Sequence, residues 1–150
     1  MRPDATELRA LIEAGGANAE VLESALGEVA RVTPDAVVDA LAALKAAGFE
    51  SLVDLLGCDT GEAIELTYHV RSYATARDVY VKTTVPYDAD IASAWNVYPS
   101  VLMPERETAE LLGLSLEGHP NPKRLLTTDG IEPLLRKGVP IRSVEVVKHR

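Results

Sequence analysis

The sequence predicts an α+β protein, with N-terminal helices packed on a small, mostly antiparallel sheet, then a C-terminal helix and an irregular proline-rich tail. Apolar residues recur at helical spacing before residue 48 and alternate with polar residues between 64 and 85. Prolines and glycines accumulate after residue 114. The 150 residues fit a single domain. We assign 1–48 to a helical scaffold, 49–113 to the sheet with its helix, and 114–150 to an extended docking tail.

Three helical stretches are expected within the scaffold. Asp4 and Glu7 resemble a capping box at the start of the first, which Gly15-Gly16 would end. The second is expected to begin near Asn18 and to place Val21, Leu22, Ala25, Leu26 and Val29 on one side. Thr33-Pro34-Asp35 offers a hydroxyl cap, a proline at the first helical position and an acid in the first turn, so it predicts the start of the third.

A change from helical to alternating period marks the sheet. The stretches 64–70 and 79–85 each alternate apolar with polar residues and are joined by a polar connection, which predicts a hairpin. Residues 49–56 and 91–98 are expected to add one strand each. A last helix over 105–112 should stop at Gly113.

Composition excludes several classes of protein. A net charge of −8 with a pI near 4.9 argues against binding to a phosphate backbone, although residues 121–150 carry seven bases against three acids. The longest uncharged run, 91–104, is too short to span a bilayer and no apolar signal core opens the chain, so we expect membrane association only through a partner.

Few residue patterns in this sequence indicate a catalytic, metal-binding or cofactor-binding site. Cys58 is the only cysteine, so an intramolecular disulfide and thiolate-held iron–sulfur clusters are excluded. It follows Leu55-Leu56-Gly57 and is expected to be a small buried hydrophobe rather than a catalytic thiol beside a histidine. His69 is expected on the solvent side of its strand. The histidines lack metal-ligand spacing, and phosphate-binding glycine loops and serine nucleophile elbows are absent from the sequence, so we expect no cofactor in this chain.

Two short charged stretches stand out. Glu105-Arg106-Glu107 opens the last helix, where the helix dipole favours the acids, and the triplet also suits paired contacts with a partner. The segment 118–124, Gly-His-Pro-Asn-Pro-Lys-Arg, is stiffened by two prolines and suits either recognition or a structural role in which His119 bonds a backbone carbonyl. Both interpretations stay open for each stretch.

The order of several blocks resembles the thirty-kilodalton, or C, subunit of respiratory complex I and its counterparts in membrane-bound nickel–iron hydrogenases. The resemblance runs from about Phe49 to Pro140 and retains the family order of short motifs, apart from one extra residue in the last. These blocks are Glu105-Arg106-Glu107, Ala109 to Leu114, Gly118-His119-Pro120, Arg124-Leu125-Leu126 and Pro133-Leu134-Leu135-Arg136-Lys137.

Departures from the family pattern favour the hydrogenase-type counterpart over the complex I form. Met103 stands where the family has an aromatic residue, Ala109-Glu110 replaces a Tyr-Asp pair, and Leu111-Leu112 replaces Met-Phe. The chain also ends soon after Arg136-Lys137.

The resemblance implies a peripheral-arm subunit without its own active site, held at the cytoplasmic side of the membrane by partners. Those partners would be the large subunit with the quinone or nickel–iron site and neighbouring iron–sulfur subunits, but not nucleic acid. The contact residues it suggests are Glu105, Arg106, Glu107, Gly113, Gly118, His119, Pro120, Arg124, Arg136 and Lys137.

Two alternatives remain at this point. One is a freestanding small enzyme that uses His119 with Glu105 or Glu107 for acid/base chemistry. The other is a soluble binding module of unrelated function.

Overall fold

The computed structural model describes residues 5–25 and 27–140. It confirms the α+β class: three helices and two short 3-10 turns accompany a five-stranded and a two-stranded sheet within those residues. The helices are α1 (Ala5–Ala14), α2 (Val37–Ala46) and α3 (Leu102–Leu112). The strands are β1 (Glu20–Ser24), β2 (Gly27–Arg31), β3 (Ser51–Asp59), β4 (Ala63–Ser72), β5 (Arg77–Pro86), β6 (Asp90–Ala92) and β7 (Ser115–Glu117). The 3-10 turns are Pro34–Ala36 and Pro99–Val101.

The large sheet has the strand order β1-β2-β5-β4-β3, and its pairs are antiparallel except for the parallel pair β2–β5. Alternation in β4 and β5 sends one set of side chains into the core, as the sequence predicts. These core residues are Ile64, Leu66, Tyr68, Val70, Val79, Val81 and Val85. All three helices contribute buried side chains to the same core.

The predicted second helix is wrong, because Glu20–Ser24 and Gly27–Arg31 pair as β1 and β2 and extend the sheet; Leu26 lies outside the described residues. Gly27, with φ +136°, lies at the turn of this hairpin. Strand pairing turns Ala30 into the core and leaves Leu22 on the opposite face, 41% exposed. The apolar run is short enough to fit either the helical or the alternating spacing. Parallel pairing of β2 with β5 stabilises the strand conformation.

Other boundaries differ in smaller ways. The strand expected over 91–98 is much shorter: β6 covers Asp90–Ala92, and the amides of Val97 and Tyr98 bond back to Ala94 O in a turn. Helix α3 starts three residues early with Pro104 in its first turn, where a missing N–H costs nothing. Thr33 precedes the turn that leads to α2 but makes no side-chain cap bond.

Cys58 is exposed, so its expected burial is wrong. It pairs with Glu65 on the polar face of the sheet, opposite the core. His69 lies on this same face, hydrogen-bonded to Asp78 at 2.7 Å and stacked on Tyr80 with ring centroids 4.5 Å apart. Asp4 and the residues after 140 lie outside the described part of the chain.

Helix α3 packs very closely on β3, and this contact positions the C-terminal segment. An added Cβ at Gly57 would come within 2.3 Å of Leu112 Cδ1 and 2.8 Å of Thr108 Cγ2. Gly113, with φ +74°, ends the helix in the left-handed conformation, as predicted. From there the chain forms β7 beside β6 and then runs irregularly over α3 to residue 140.

Candidate functional site

Residues 118–140, called the tail from here on, form the candidate functional site, and α3 holds their backbone through charged side chains. Glu110 accepts hydrogen bonds from three successive amides, those of Leu125, Leu126 (2.8 Å) and Thr127 (2.9 Å). Burial raises the pKa of the Glu110 carboxyl, but these three N–H donors outweigh it and hold the pKa below its usual value. The carboxylate is therefore the form that fixes the tail.

Arg106 lies one helical turn before Glu110 and holds the carbonyls of the same tail segment. Its Nε donates to Lys123 O at 2.6 Å and its Nη2 to Arg124 O at 2.9 Å. The spacing i, i+4 puts both side chains on one face of α3. Together they pair with five backbone groups of residues 123–127.

Arg124 braces the tail from within. Its guanidinium donates to Thr127 Oγ1 and to Ile131 O, both at 2.8 Å. A guanidinium has five donors in a fixed plane, so it can hold two positions of one loop at a set distance.

Arg136 attaches the far end of the tail to the C-terminus of α3. Nε donates to Leu112 O at 2.6 Å and Nη2 to Gly113 O at 2.9 Å, while the guanidinium lies 4.7 Å from the Tyr87 ring centroid. These carbonyls carry the negative end of the helix dipole, which favours a cation.

Asp59, at the end of β3, provides a second anchor for the far end. It accepts hydrogen bonds from the Tyr87 hydroxyl, from Gly61 N at 2.8 Å and from Lys137 N at 2.7 Å. The Tyr87 bond is the largest of the contributions that lower the pKa of Asp59. The Lys137 side chain itself stays exposed.

Apolar side chains of the fixed tail remain open to solvent. We call the following five residues the leucine surface; the exposed fractions are Leu125 36%, Leu126 63%, Ile131 37%, Leu134 50% and Leu135 58%. Exposed apolar residues that occur together on an ordered segment are typical of interaction sites. Scattered single apolar residues need no such explanation.

A buried polar cluster lies below the start of the tail. The side chains of Glu105 and His119 are each 1% exposed, and Glu105 Oε2 lies 3.8 Å from His119 Nε2. Glu105 also accepts hydrogen bonds from Ser93 Oγ and from Ala94 N. Burial raises the pKa of the Glu105 carboxyl, and the two hydrogen bonds oppose that rise, as a positive charge on His119 would when the ring is protonated.

This burial corrects the expected contact set, because the side chains of Glu105 and His119 face the interior and have no free surface for a partner. His119 has the structural role that its sequence context allowed, a bond from Nε2 to Leu102 O at 3.0 Å. The buried pair of Glu105 and His119 is one of the two acid–base pairs named for the freestanding-enzyme alternative. Glu107, the acid of the other pair, is exposed.

The other predicted contact residues divide into two groups. Arg106, Arg124, Arg136 and Gly113 hold or accommodate the tail. The second group consists of exposed residues: Glu107, Gly118, Pro120 and Lys137.

Sequence reasoning missed Glu110 and Asp59, which bind tail amides. The spacing of Glu110 from Arg106 is the one signal that could have pointed to it, whereas the position of Asp59 depends on a contact 78 residues along the chain.

Among residues 5–25 and 27–140, no group of three His, Cys, Asp or Glu side chains is placed to hold a metal ion. Over the same residues, none of the helices has the length and apolar character needed to cross a bilayer.

Comparisons with known proteins identify the family and the fold. Residues 30–145 match the family described as the 30 kDa subunit of respiratory-chain NADH dehydrogenase. The chain is 32% identical over 133 residues to the C subunit of NADH-quinone oxidoreductase from Phenylobacterium zucineum, covering 85% of this chain and 64% of the relative. It is 33% identical over 125 residues to the same subunit from a Methylobacterium species, covering 79% and 58%. The chain thus spans about three fifths of the length of these relatives.

A solved structure shares the fold. It is a chain of the membrane-bound sulfane sulfur reductase, an archaeal respiratory membrane complex, with a TM-score of 0.76 at 24% identity over 95% of this chain and 88% of that one. The matched range of the family model begins within β2 and includes α2, β3 to β7, α3 and the whole tail. The chain therefore belongs to the family of the 30 kDa subunit of respiratory-chain NADH dehydrogenase.

Proposed function

We propose that this chain is a non-catalytic subunit of a complex I-like, multi-subunit oxidoreductase and that it docks on its neighbour through the leucine surface. The proposal rests on one observation, the contrast between the backbone of the tail and its apolar side chains. Its backbone is fixed by Glu110, Arg106, Arg136 and Asp59, while its apolar side chains face outward.

The energetics of an irregular segment support this role. Ordering one residue costs roughly 1–2 kcal/mol of conformational entropy, and the tail forms no regular element that would offset it. Charged side chains supply the offset here, since hydrogen bonds to ionised groups are each worth about 1.5–3 kcal/mol. A segment ordered before binding loses little further entropy when a partner covers its leucines.

The expected partner is the large subunit that carries the quinone or nickel–iron site. Similarity both to the C subunit of NADH-quinone oxidoreductase and to an archaeal respiratory membrane complex supports an assembly of this class. The exposed members of the predicted contact set all adjoin or belong to the tail, and we retain them as direct contacts: Glu107, Gly118, Pro120 and Lys137. Membership of such an assembly would hold the chain peripherally at the cytoplasmic side of the membrane.

Affinity purification tests the proposal. A tagged chain is expressed in its native cells, the membranes are solubilised gently, and the co-purifying proteins are identified while nickel and iron are assayed in the same sample. A large subunit with nickel and iron identifies the hydrogenase version, and one with iron alone identifies a quinone- or cofactor-linked version. A chain that purifies alone and free of metal refutes the proposal.

A further inference from the structure

The buried cluster of Ser93, Glu105 and His119 joins three parts of the chain at the point where the tail begins. Ser93 follows β6, Glu105 lies in the first turn of α3, and His119 is the second residue of the tail. The buried side chains of this cluster play no part in docking through the leucine surface.

The hydrogen bonds around His119 define its protonation state in this structure. Nδ1 accepts the Asn121 N–H at 3.0 Å, so it carries no proton. Nε2 lies 3.0 Å from the Leu102 carbonyl, which can only accept, so Nε2 carries the hydrogen. This network therefore assigns a neutral imidazole with its proton on Nε2.

A second proton on His119 is incompatible with the observed start of the tail. It would place an Nδ1–H against the Asn121 N–H, so that two donors face each other. The Asn121 amide then has to turn away from the ring.

We propose that protonation of His119 releases the start of the tail, so that the buried cluster makes the docking segment responsive to pH. This inference deepens the proposed function, because it concerns regulation of the same segment. The release itself is a property of the free chain and does not depend on which partner binds.

The groups around the imidazole determine how replacing Glu105 should change the pH at which the tail is released. Glu105 on α3 approaches Nε2 at 3.8 Å, and an ionised carboxylate there stabilises the imidazolium. Tyr68 on β4 is the other titratable group coupled to Glu105; burial keeps its hydroxyl neutral by raising its pKa. Replacing Glu105 by Gln removes the stabilising charge, so release should require a lower pH.

Hydrogen exchange measured by NMR on the full chain tests the proposal. The quantity is the protection factor of the Asn121 amide, which corrects the observed rate for the pH dependence of intrinsic exchange. Lowering the pH should reduce it by about fivefold, the effect of losing one hydrogen bond. His69→Gln with His149→Gln gives a matched background in which His119 is the remaining histidine, and the transition should persist there.

Two variants complete the test. His119→Asn keeps an acceptor near the position of Nδ1 but does not titrate, so the transition should vanish. Glu105→Gln should shift its midpoint to lower pH. An unchanged transition in His119→Asn, or an unchanged midpoint in Glu105→Gln, overturns the proposal.

If His119→Asn does not fold, the imidazole nitrogen shifts of the unmodified chain decide instead. At neutral pH they should show a bare Nδ1 and a protonated Nε2, and the opposite result overturns the proposal. A chain that fails to co-purify with a partner but shows this transition refutes the docking function alone.

Discussion

Replacing Gly113 by Ala should detach the tail from the end of α3. Gly113 adopts φ +74°, and an added Cβ would lie 2.7 Å from Pro133 Cγ and 2.9 Å from Arg136 Nη2. The methyl group therefore does two things at once. It imposes a left-handed conformation on alanine, and it pushes away the guanidinium that holds Leu112 O and Gly113 O.

Gly118 provides a control that separates these two effects. Its φ is also +74°, but an added Cβ there meets nothing within 4 Å. Left-handed strain should cost both alanine variants about 1–2 kcal/mol. Crowding should add roughly 1–3 kcal/mol at Gly113 alone. That difference corresponds to an approximately 5- to 150-fold larger population of detached tail in Gly113→Ala than in Gly118→Ala.

Limited trypsin digestion measures the detached population, because Arg136 is a cleavage site whose side chain is engaged while the tail is in place. Cleavage after Arg136 should be faster in Gly113→Ala than in Gly118→Ala by the same factor as the detached populations differ. Urea unfolding of both variants serves as a check that the sheet remains folded. Equal cleavage rates in the two variants would refute the role assigned to the contact between Gly113 and Arg136.

Four further results are expected from the same structure. Gly57→Ala should destabilise the fold by about 1–3 kcal/mol in urea unfolding, because the new methyl would overlap Leu112. The folded pKa of Glu110 lies below its ordinary value of 4.5, so its stabilisation of the tail is present above that value. This stabilisation is lost as the pH falls through the folded pKa. NMR of the tail amides should detect the loss in the unmodified chain, whereas Glu110→Gln should lack this pH dependence. Arg106→Lys should lose one of two carbonyl bonds and raise tail proteolysis about fivefold. Cys58 should react with a maleimide in the folded chain at a rate close to that of the urea-unfolded chain.

Sequence patterns predicted those parts of the fold in which local preference and tertiary structure agree. The stretches 64–70 and 79–85 of the β4–β5 hairpin alternate apolar with polar residues, as a half-buried sheet requires. The glycine at position 113 marks a helix end because no other residue adopts a positive φ without strain.

The β1–β2 hairpin was not predictable from the same signals. Its apolar residues fit a helical stripe, and the deciding contact is the parallel pairing with β5 about fifty residues later. Patterns within ten residues carry no information about such a partner.

The predicted contact residues have intramolecular roles that the sequence did not reveal. Arg106, Arg124 and Arg136 were expected to contact another protein, whereas here their guanidinium groups bind backbone carbonyls of their own chain. Glu105 was expected at the surface because carboxylates favour the first turn of a helix. The bonds from Ser93 and Ala94 place it inside, and those donors belong to a loop whose conformation the sequence did not reveal.

The central claim is that the leucine surface joins this chain to its assembly. The most direct test compares co-purification of the tagged chain with that of Leu126→Glu/Leu135→Glu and of a control, Leu56→Glu. Leu56 lies on the polar face of the sheet and is 58% exposed, the same fraction as Leu135, so the control places the same kind of substitution, once rather than twice, at an equally exposed position away from the tail. We expect the large subunit to be lost from the double variant and retained by the control. Retention of the partner by the double variant, in a chain that is still folded, would contradict the claim.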